Sequence, residues 1–191
     1  MTWDPSNAGY VKVNGTQMSN GWTNWFKYGT SVTLEAVPSS GYVLQKWRRD
    51  VNGGSLEDYS VRLKETVSGS ASSAHYARVD KTTSNAFSGY VEISMTFSAS
   101  GYAYFIWYAS IHTPSRTLAS DSGTASVSNR ALTWSGTLNS EKVTFTVYGV
   151  VMPSSAIMSV SLSGTVVRSA ENPITVVMSS GYQFEAIFGA P

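Results

Sequence analysis

The sequence predicts an all-β protein, and three observations carry that prediction. Many short segments alternate residue by residue, as Val32, Leu34 and Ala36 do on one face of a segment. Turn signals built on glycine separate these segments. No long window carries apolar residues at the i, i+3, i+4, i+7 spacing of a helix, and no capping box opens one. The chain is therefore expected to consist of antiparallel strands joined by turns.

The turns share a motif. The tripeptide Ser-Gly-Tyr closes at Tyr42, Tyr90, Tyr102 and Tyr182, next to alternating segments. Its central glycine can take a positive φ without steric cost, which tight turns need. Asn14-Gly15 and Asn52-Gly53-Gly54 are further tight-turn signals. The recurrence indicates weak internal repetition of one strand–turn–strand unit.

The composition favours a folded and weakly charged protein. Serine and threonine make up roughly a quarter of the chain, and charged residues only 13%, against an ordinary share of about 25%. Aromatic residues reach 13%, which distinguishes the chain from a disordered Ser/Thr linker, because a linker lacks apolar surface to bury. The formal net charge of +1 gives no electrostatic footprint for nucleic acid or anionic lipid. Neither nucleic acid nor a membrane is an expected partner.

The chain contains no cysteine. Disulfides, thiolate metal sites and a cysteine nucleophile are therefore excluded. No apolar stretch approaches the ~18 residues of a membrane-spanning helix, and the first residues lack the basic and then apolar layout of a secretory signal. A surface-type composition without an export signal is expected either where a signal was removed before residue 1 or where the protein leaves the cell by another route. A phage structural protein, which is released by lysis, fits the second case.

The pattern predicts two small antiparallel β domains. Residues 1–80 form the first, with one of its strands over Trp25–Tyr28. Residues 81–85 are polar without apolar periodicity and are expected to be a linker. Residues 86–191 hold about seven or eight alternating segments, the number expected of an Ig-like, Greek-key sandwich. Rows of serine and threonine suit the solvated outer faces of such sheets.

Residues from about 9 to 79 carry a recognisable pattern. It runs through Val11-Lys-Val-Asn-Gly15, Tyr28-Gly-Thr-Ser-Val-Thr-Leu-Glu-Ala-Val-Pro-Ser-Ser-Gly-Tyr42, Trp47 and Tyr59-Ser-Val-Arg-Leu63. This pattern resembles the divergent InlB-type B-repeat modules of bacterial surface proteins, first described in internalins. Residues 172–188 partly resemble the closing strands of the same module, so the second domain is either a diverged copy or an unrelated sandwich. The resemblance implies a structural or adhesive role without an active site.

Few residues are candidates for chemistry. His75 and His112 lie in different predicted domains and are expected to be structural, because metal sites and catalytic triads need converging groups. The carboxylate pair Glu57-Asp58 could bind calcium, but a solvated turn is favoured, since calcium takes six to eight oxygen ligands. The other acids are scattered, and no phosphate loop or nucleophile elbow is present. The protein is therefore expected to be no enzyme and to hold no metal or cofactor.

The first domain offers two groups of candidate interaction residues. Trp22 and Trp25 could form a sugar-stacking platform or an interface anchor, or could instead fill a small core. Of the two, Trp22 lies outside the resemblance and is the one expected to be exposed. Arg48 and Arg49 are interface candidates beside Trp47, which is expected to be a core residue.

The second domain offers one aromatic cluster. Its members are Tyr102, Tyr104, Trp107 and Tyr108. The segment from Tyr102 to Ile111 is apolar on both faces when read with a period of two. It is therefore expected to be covered by a sheet on one side and by another domain or subunit on the other.

These expectations converge on a non-enzymatic structural or interaction protein. The favoured interpretation is a phage virion component, such as a capsid decoration, head-fibre or tail-associated protein, bound to capsid or other virion proteins or to copies of itself. The alternative is an extracellular adhesion module of a bacterial cell surface that binds a glycan or a host protein. Low charge and aromatic enrichment mark interface cores, so residues 86–191 are expected to dock while residues 1–80 project.

Overall fold

The computed structural model describes residues 1–51, 53–179 and 181–191, and these form strands and turns. The strands are β1 (Thr2–Asp4), β2 (Gly9–Val13), β3 (Thr16–Gln17), β4 (Ser31–Pro38), β5 (Val43–Val51), β6 (Glu57–Val61), β7 (Leu63–Ala74), β8 (Tyr76–Thr82), β9 (Phe87–Gly101), β10 (Phe105–His112), β11 (Thr117–Gly123), β12 (Val127–Glu141), β13 (Thr144–Val151), β14 (Ile157–Arg168), β15 (Ile174–Val177) and β16 (Tyr182–Gly189). The predicted all-β class is confirmed. Asn52 and Ser180, on which two predicted turns fall, lie outside the described residues.

Across those described ranges, no helix has the length and apolarity needed to cross a bilayer.

The strands divide into two compact units, and the second is inserted into the first. Unit 1 comprises Met1–Leu63 and Ser169–Pro191, and unit 2 comprises Lys64–Arg168. The predicted boundary near residue 80 is corrected by this division, because β15 and β16 return to unit 1, where β15 pairs with β4 and β16 pairs with β5. Alternation predicts strands and their faces but does not say which distant strands pair.

The predicted linker at residues 81–85 is instead an ordered part of unit 2. β8 runs to Thr82 and pairs with β13. The turn that follows is held by Glu65, whose carboxylate accepts hydrogen bonds from the backbone N–H groups of Ser84 and Asn85. Burial acts to raise the pKa of Glu65, but these hydrogen bonds outweigh it and lower that pKa. A polar segment without periodicity is therefore a fixed turn here.

Unit 1 consists of two sheets around one apolar core. Their strand orders are β15-β4-β2-β3 and β1-β16-β5-β6, antiparallel except for the parallel pair β1 and β16. The predicted apolar face of β4, formed by Val32, Leu34 and Ala36, lies in the core. Trp47 in β5 is fully buried, and its Nε1 donates to the carbonyl of Glu171 at 2.9 Å. That bond joins the strand before the insertion to the chain that returns after it.

Unit 2 is one long hairpin of eight strands wrapped into two sheets. The innermost pair is β10 with β11, followed outward by β9 with β12, β8 with β13 and β7 with β14. The front sheet has the order β11-β10-β13-β8, and the back sheet has the order β12-β9-β14-β7. This is the strand arrangement of a jelly roll, which is built from Greek keys. The predicted two-sheet sandwich is confirmed, and its order is that of a jelly roll rather than of an immunoglobulin domain.

The core of unit 2 follows the predicted alternation. The inward faces of β9, β13 and β14 are buried, as predicted, and so is Val143, which directly precedes β13. The inward residues are Val91, Ile93, Met95, Phe97, Phe145, Val147, Val160 and Leu162. Phe97 of the back sheet meets Trp107 of the front sheet with ring centroids 5.3 Å apart. Gly164 leaves room for Phe145, because a Cβ at this glycine would lie 2.6 Å from the ring. The two sheets are therefore packed at side-chain contact distance.

The outer face of the back sheet carries serine and threonine hydroxyl groups that hydrogen-bond in pairs across neighbouring strands. Neighbouring strands are linked by hydroxyl pairs at 2.7 Å (Ser98 with Ser161), 2.8 Å (Ser72 with Ser159) and 3.1 Å (Thr66 with Thr165). The predicted serine and threonine rows thus satisfy one another as well as facing solvent. The hydroxyl groups make this solvent-facing side polar, although few of its side chains are charged.

Candidate interaction surface

The outer face of the front sheet is half apolar and half polar. Successive outward rows run across β10, β13 and β8. The rows are Ile106, Val150 and Tyr76, then Tyr108, Tyr148 and Arg78, then Ser110, Thr146 and Asp80, then His112, Thr144 and Thr82. The first two rows are mainly apolar and the last two are polar, so the face changes character along the strands.

The apolar rows continue past the end of the sheet. The N–H of Met152 donates to the carbonyl of Tyr104 at 2.9 Å, and both residues follow the outward alternation, because their neighbours Phe105 and Val151 are buried. We call the set Tyr76, Tyr104, Ile106, Tyr108, Tyr148, Val150 and Met152 the apolar half-face. Four of its members are strongly exposed: Tyr104 (69%), Met152 (54%), Ile106 (49%) and Tyr76 (41%). Large apolar residues that share one exposed patch mark an interaction surface.

The tyrosines of the apolar half-face pack on one another. The ring centroid of Tyr148 lies 5.4 Å from that of Tyr108 and 6.1 Å from that of Tyr76. The guanidinium of Arg78 lies 5.4 Å from the centroid of the Tyr148 ring. The rings of Tyr76, Tyr108 and Tyr148 are thus each held by a neighbour before any partner binds. Ordered rings lose little entropy on binding.

Short loops fix the end of the sheet where the apolar half-face lies. His75 has a positive φ of 69°, and it is bonded to the loop that follows β13. Its N–H donates to Ala156 at 2.9 Å, its carbonyl accepts from Val151 at 2.8 Å, and its Nδ1 lies 2.9 Å from the carbonyl of Val151. The predicted structural role of His75 therefore has a physical basis in these three contacts.

The polar half is a connected network. The carboxylate of Asp80 accepts two bonds from Arg78, at 2.6 and 3.1 Å, and a third from the hydroxyl of Thr146. Nε2 of His112 lies 3.2 Å from the same hydroxyl. The bonds from Arg78 first, and then the hydroxyl of Thr146 and the nearby charges, lower the pKa of Asp80 against the opposing effect of burial. The carboxylate therefore stays ionised at neutral pH.

We expect Asp80→Asn to lower the free energy of unfolding of unit 2 by up to about 1 kcal/mol at pH 7, a small value because the ion pair is largely solvated. Since folding lowers this pKa, the contribution is fully present above the unfolded-state value of about 3.9 and is lost as the pH falls through the folded-state value. Urea unfolding at several pH values measures it. The difference from wild type should vanish in acid, and Glu92→Gln on the back sheet is the matched control. A difference that persists in acid would contradict the assignment.

The aromatic cluster predicted in the second half divides between surface and core. Tyr102 (92% exposed) and Tyr104 precede β10, and Tyr108 lies on the outward face. Trp107 is corrected: it is a buried core residue, and its Nε1 donates to the carbonyl of Ala125 at 2.9 Å. Alternation separated the two faces of β10 but could not say which aromatic face belonged to the core.

The two tryptophan candidates in unit 1, Trp22 and Trp25, differ in exposure. Trp25 is 97% exposed, and the segment Trp25–Tyr28 is a loop rather than the predicted strand. Trp22 is half-buried, packed on the unit 1 core and near the ring of Phe26, so the expectation that it would be the exposed member is reversed. The segment has no apolar alternation to hold it in a sheet.

Arg48 and Arg49 both have partners inside unit 1. Arg48 donates to Glu185 at 3.1 Å and to the carbonyl of Leu56 at 3.0 Å. The guanidinium of Arg49 lies 4.4 Å from the centroid of the Tyr59 ring. These contacts give both arginines a structural role on the surface of the unit.

Asp58 of the carboxylate pair Glu57-Asp58, which opens β6, also has a structural role. Asp58 pairs with Lys46 at 2.9 Å, which joins β5 to β6. Among the described residues, no group of three or more histidine, aspartate or glutamate side chains is placed to hold a metal ion.

Sequence reasoning missed part of the apolar half-face. Tyr76, Tyr148, Val150 and Met152 were not among the candidates, because they lie on strands that are distant in sequence from Tyr104. Tyr148 opposes Val147 in the alternation of β13, and this outward tyrosine was a signal that could have been used. The pairing of β8 with β13 and of β13 with β10 brings these residues together.

The family comparison bears on the N-terminal part of the chain. Residues 9–80 match the model of the divergent InlB B-repeat domain. The predicted resemblance is confirmed. The B-repeat match covers less than half of the chain, and its residues 64–80 lie in unit 2, while the strands that complete unit 1 are β15 and β16.

The chain is similar in part to solved structures of viral proteins. No curated protein matches the chain. The structure of infectious bursal disease virus Gx strain gives a TM-score of 0.38 at 9% identity, over 88% of this chain and 50% of that one. The VP2 subviral particle of infectious bursal disease virus gives 0.35 at 9% identity, over 94% and 57%. The chain thus spans about half the length of these viral chains, and at such TM-scores the overlap carries no inference about its role.

Proposed function

We propose that this protein is a non-enzymatic structural component of a phage virion, a capsid decoration, head-fibre or tail-associated protein that binds its partners through the apolar half-face. The observation that carries the proposal is this set of tyrosine, isoleucine and methionine side chains on the front sheet of the jelly roll, several of them exposed and three of the tyrosine rings packed on one another. Such residues supply the binding free energy at protein interfaces.

Two further observations support the proposal. Jelly rolls recur in viral capsid and lectin domains, although a fold alone does not set a function. The B-repeat match belongs to a module for which the sequence resemblance implies a structural or adhesive role. The absence of an assembled acid, base and nucleophile set in the sequence is the basis for expecting no enzymatic activity.

Mass spectrometry of purified virions tests the proposal. The intact chain is expected in particles that have been banded by density and washed, and its absence from them would refute a virion role. Purified chain is also expected to cosediment with particles that lack it, while Tyr104→Ser combined with Met152→Ser should abolish cosedimentation. Tyr90→Ser is the matched control, because Tyr90 is 61% exposed on the back sheet of the same unit.

A bacterial adhesion module that binds a glycan is the second candidate function. The B-repeat match and the fully exposed Trp25 favour it, since a tryptophan ring can stack on a sugar. Glycan-array binding that is lost in Trp25→Ala, together with absence from virions, would establish this alternative. Binding unaffected by Trp25→Ala would exclude the loop as the sugar site.

A further inference from the structure

We infer that the apolar half-face is a self-association surface, on which a second copy of this chain is seated through its own apolar half-face. The inference rests on the proposed function because it names the partner that binds at the surface proposed there, the apolar half-face. It commits to one occupant, and three features of the described residues argue for it: charge, area and the polar edge of the surface.

No member of the apolar half-face is charged, and no Asp, Glu, Lys or Arg occurs in residues 101–111 or 143–167, or between Thr66 and Ala77. Arg78, which lies beside Tyr148 in the second row, is neutralised by Asp80. In a two-fold interface each patch meets an identical patch, so any charge at the centre would meet its like across the axis. A neutral apolar patch meets its own copy without that repulsion. A surface shaped for a charged partner would carry complementary charges instead.

The exposed area suits the centre of an interface. From the exposed fractions of its members, the apolar half-face presents roughly 400–600 Å² of apolar side chain, at the upper end for the largest patch of a monomeric protein. A standard protein interface buries about 800 Å² per partner, of which the apolar centre is one part. Tyr102, which lies two residues before Tyr104 in the chain, is 92% exposed.

The polar half supplies the rest of such an interface. Arg78 and Asp80 neutralise each other directly beside the tyrosines, and the half-buried His112 joins them through the buried hydroxyl of Thr146. Interfaces commonly have an apolar centre with a polar rim. Here the two lie on one rigid sheet, so the pairing needs no rearrangement of the unit.

Sedimentation equilibrium of the full chain tests the inference. At about 10–100 µM the wild type is expected to exceed the monomer mass of 20.6 kDa and to dissociate on dilution. Tyr104→Ser with Met152→Ser should raise the dissociation constant at least about 30-fold, as expected for truncation of hot-spot residues. A tenfold rise in NaCl should leave the association unchanged or strengthen it, because the contact is apolar.

Three results would overturn the inference. The first is a wild-type monomer at 100 µM, because standard-size interfaces associate in roughly the µM to pM range. The others are association that the double variant leaves intact and equal loss of association in Tyr90→Ser. Circular dichroism of each variant reports whether it is folded.

Failure of the self-association inference is distinguishable from failure of the proposed virion function. A monomer that still binds virions through Tyr104 and Met152 has a capsid protein as its partner, whereas an oligomer absent from virions keeps the self-association and loses the virion role.

Discussion

Replacing Trp47 by alanine is expected to lower the free energy of unfolding of unit 1 by about 3–5 kcal/mol, the range for a fully buried tryptophan. The side chain is 0% exposed at the centre of β5. Its loss leaves a cavity and removes the donor to the carbonyl of Glu171. Chemical unfolding followed by circular dichroism measures the change.

Two variants separate the causes of that effect. Trp47→Phe keeps an aromatic ring but removes the indole N–H, and we expect a smaller cost of about 1–3 kcal/mol. Trp25→Ala removes the same residue type from a 97% exposed position, and we expect a change within about 0.5 kcal/mol. Similar costs for Trp47→Ala and Trp25→Ala would contradict the core assignment.

The second large effect concerns the unit boundaries. A fragment of residues 64–168 is expected to fold as a jelly roll by itself, whereas residues 86–191 should remain unfolded. The fragment of residues 86–191 lacks β7 and β8, one edge strand from each sheet of unit 2. It also carries β15 and β16 without their partners β4 and β5. Amide hydrogen exchange measures the difference, with slow exchange expected only in the first fragment.

A complementary pair of chains tests unit 1. Residues 1–63 joined to residues 169–191 by a short glycine-serine linker should fold, because the two segments together supply every strand of that unit. Residues 1–168 should contain a folded jelly roll and an unfolded N-terminal part. Protection of β4 and β5 in residues 1–168 would show that unit 1 does not need β15 and β16.

The sequence alone was sufficient to predict many of the strands and, for β4, β9, β13 and β14, which residues share the inward face. Alternation is a local property, so residues such as Val91 and Phe145 could be assigned to a core before any pairing was known. The partial resemblance of residues 172–188 to closing strands of the B-repeat module was the visible trace of the insertion. It left open whether the second domain is a diverged copy or an unrelated sandwich, because sequence order suggests that neighbouring segments belong together.

Pairing and exposure were beyond that local information. The apolar half-face draws on β8, β10 and β13, which are separated along the chain, and only their register brings Tyr76 beside Tyr148. Trp22 and Trp25 are three residues apart in one loop, yet one packs on a core and the other does not. A loop has no period from which the burial of each residue could be predicted.

The inserted arrangement also has a consequence for synthesis on the ribosome. Translation proceeds from the N-terminal to the C-terminal end of a chain, so β4 and β5 emerge before all of unit 2, and their partners β15 and β16 emerge after it. Domains fold as units while the chain is made. The jelly roll can therefore close during translation, while the first 63 residues wait with unpaired strand edges. Such edges invite pairing with other chains, so the interval between residues 63 and 169 is the period in which the nascent protein most needs a chaperone.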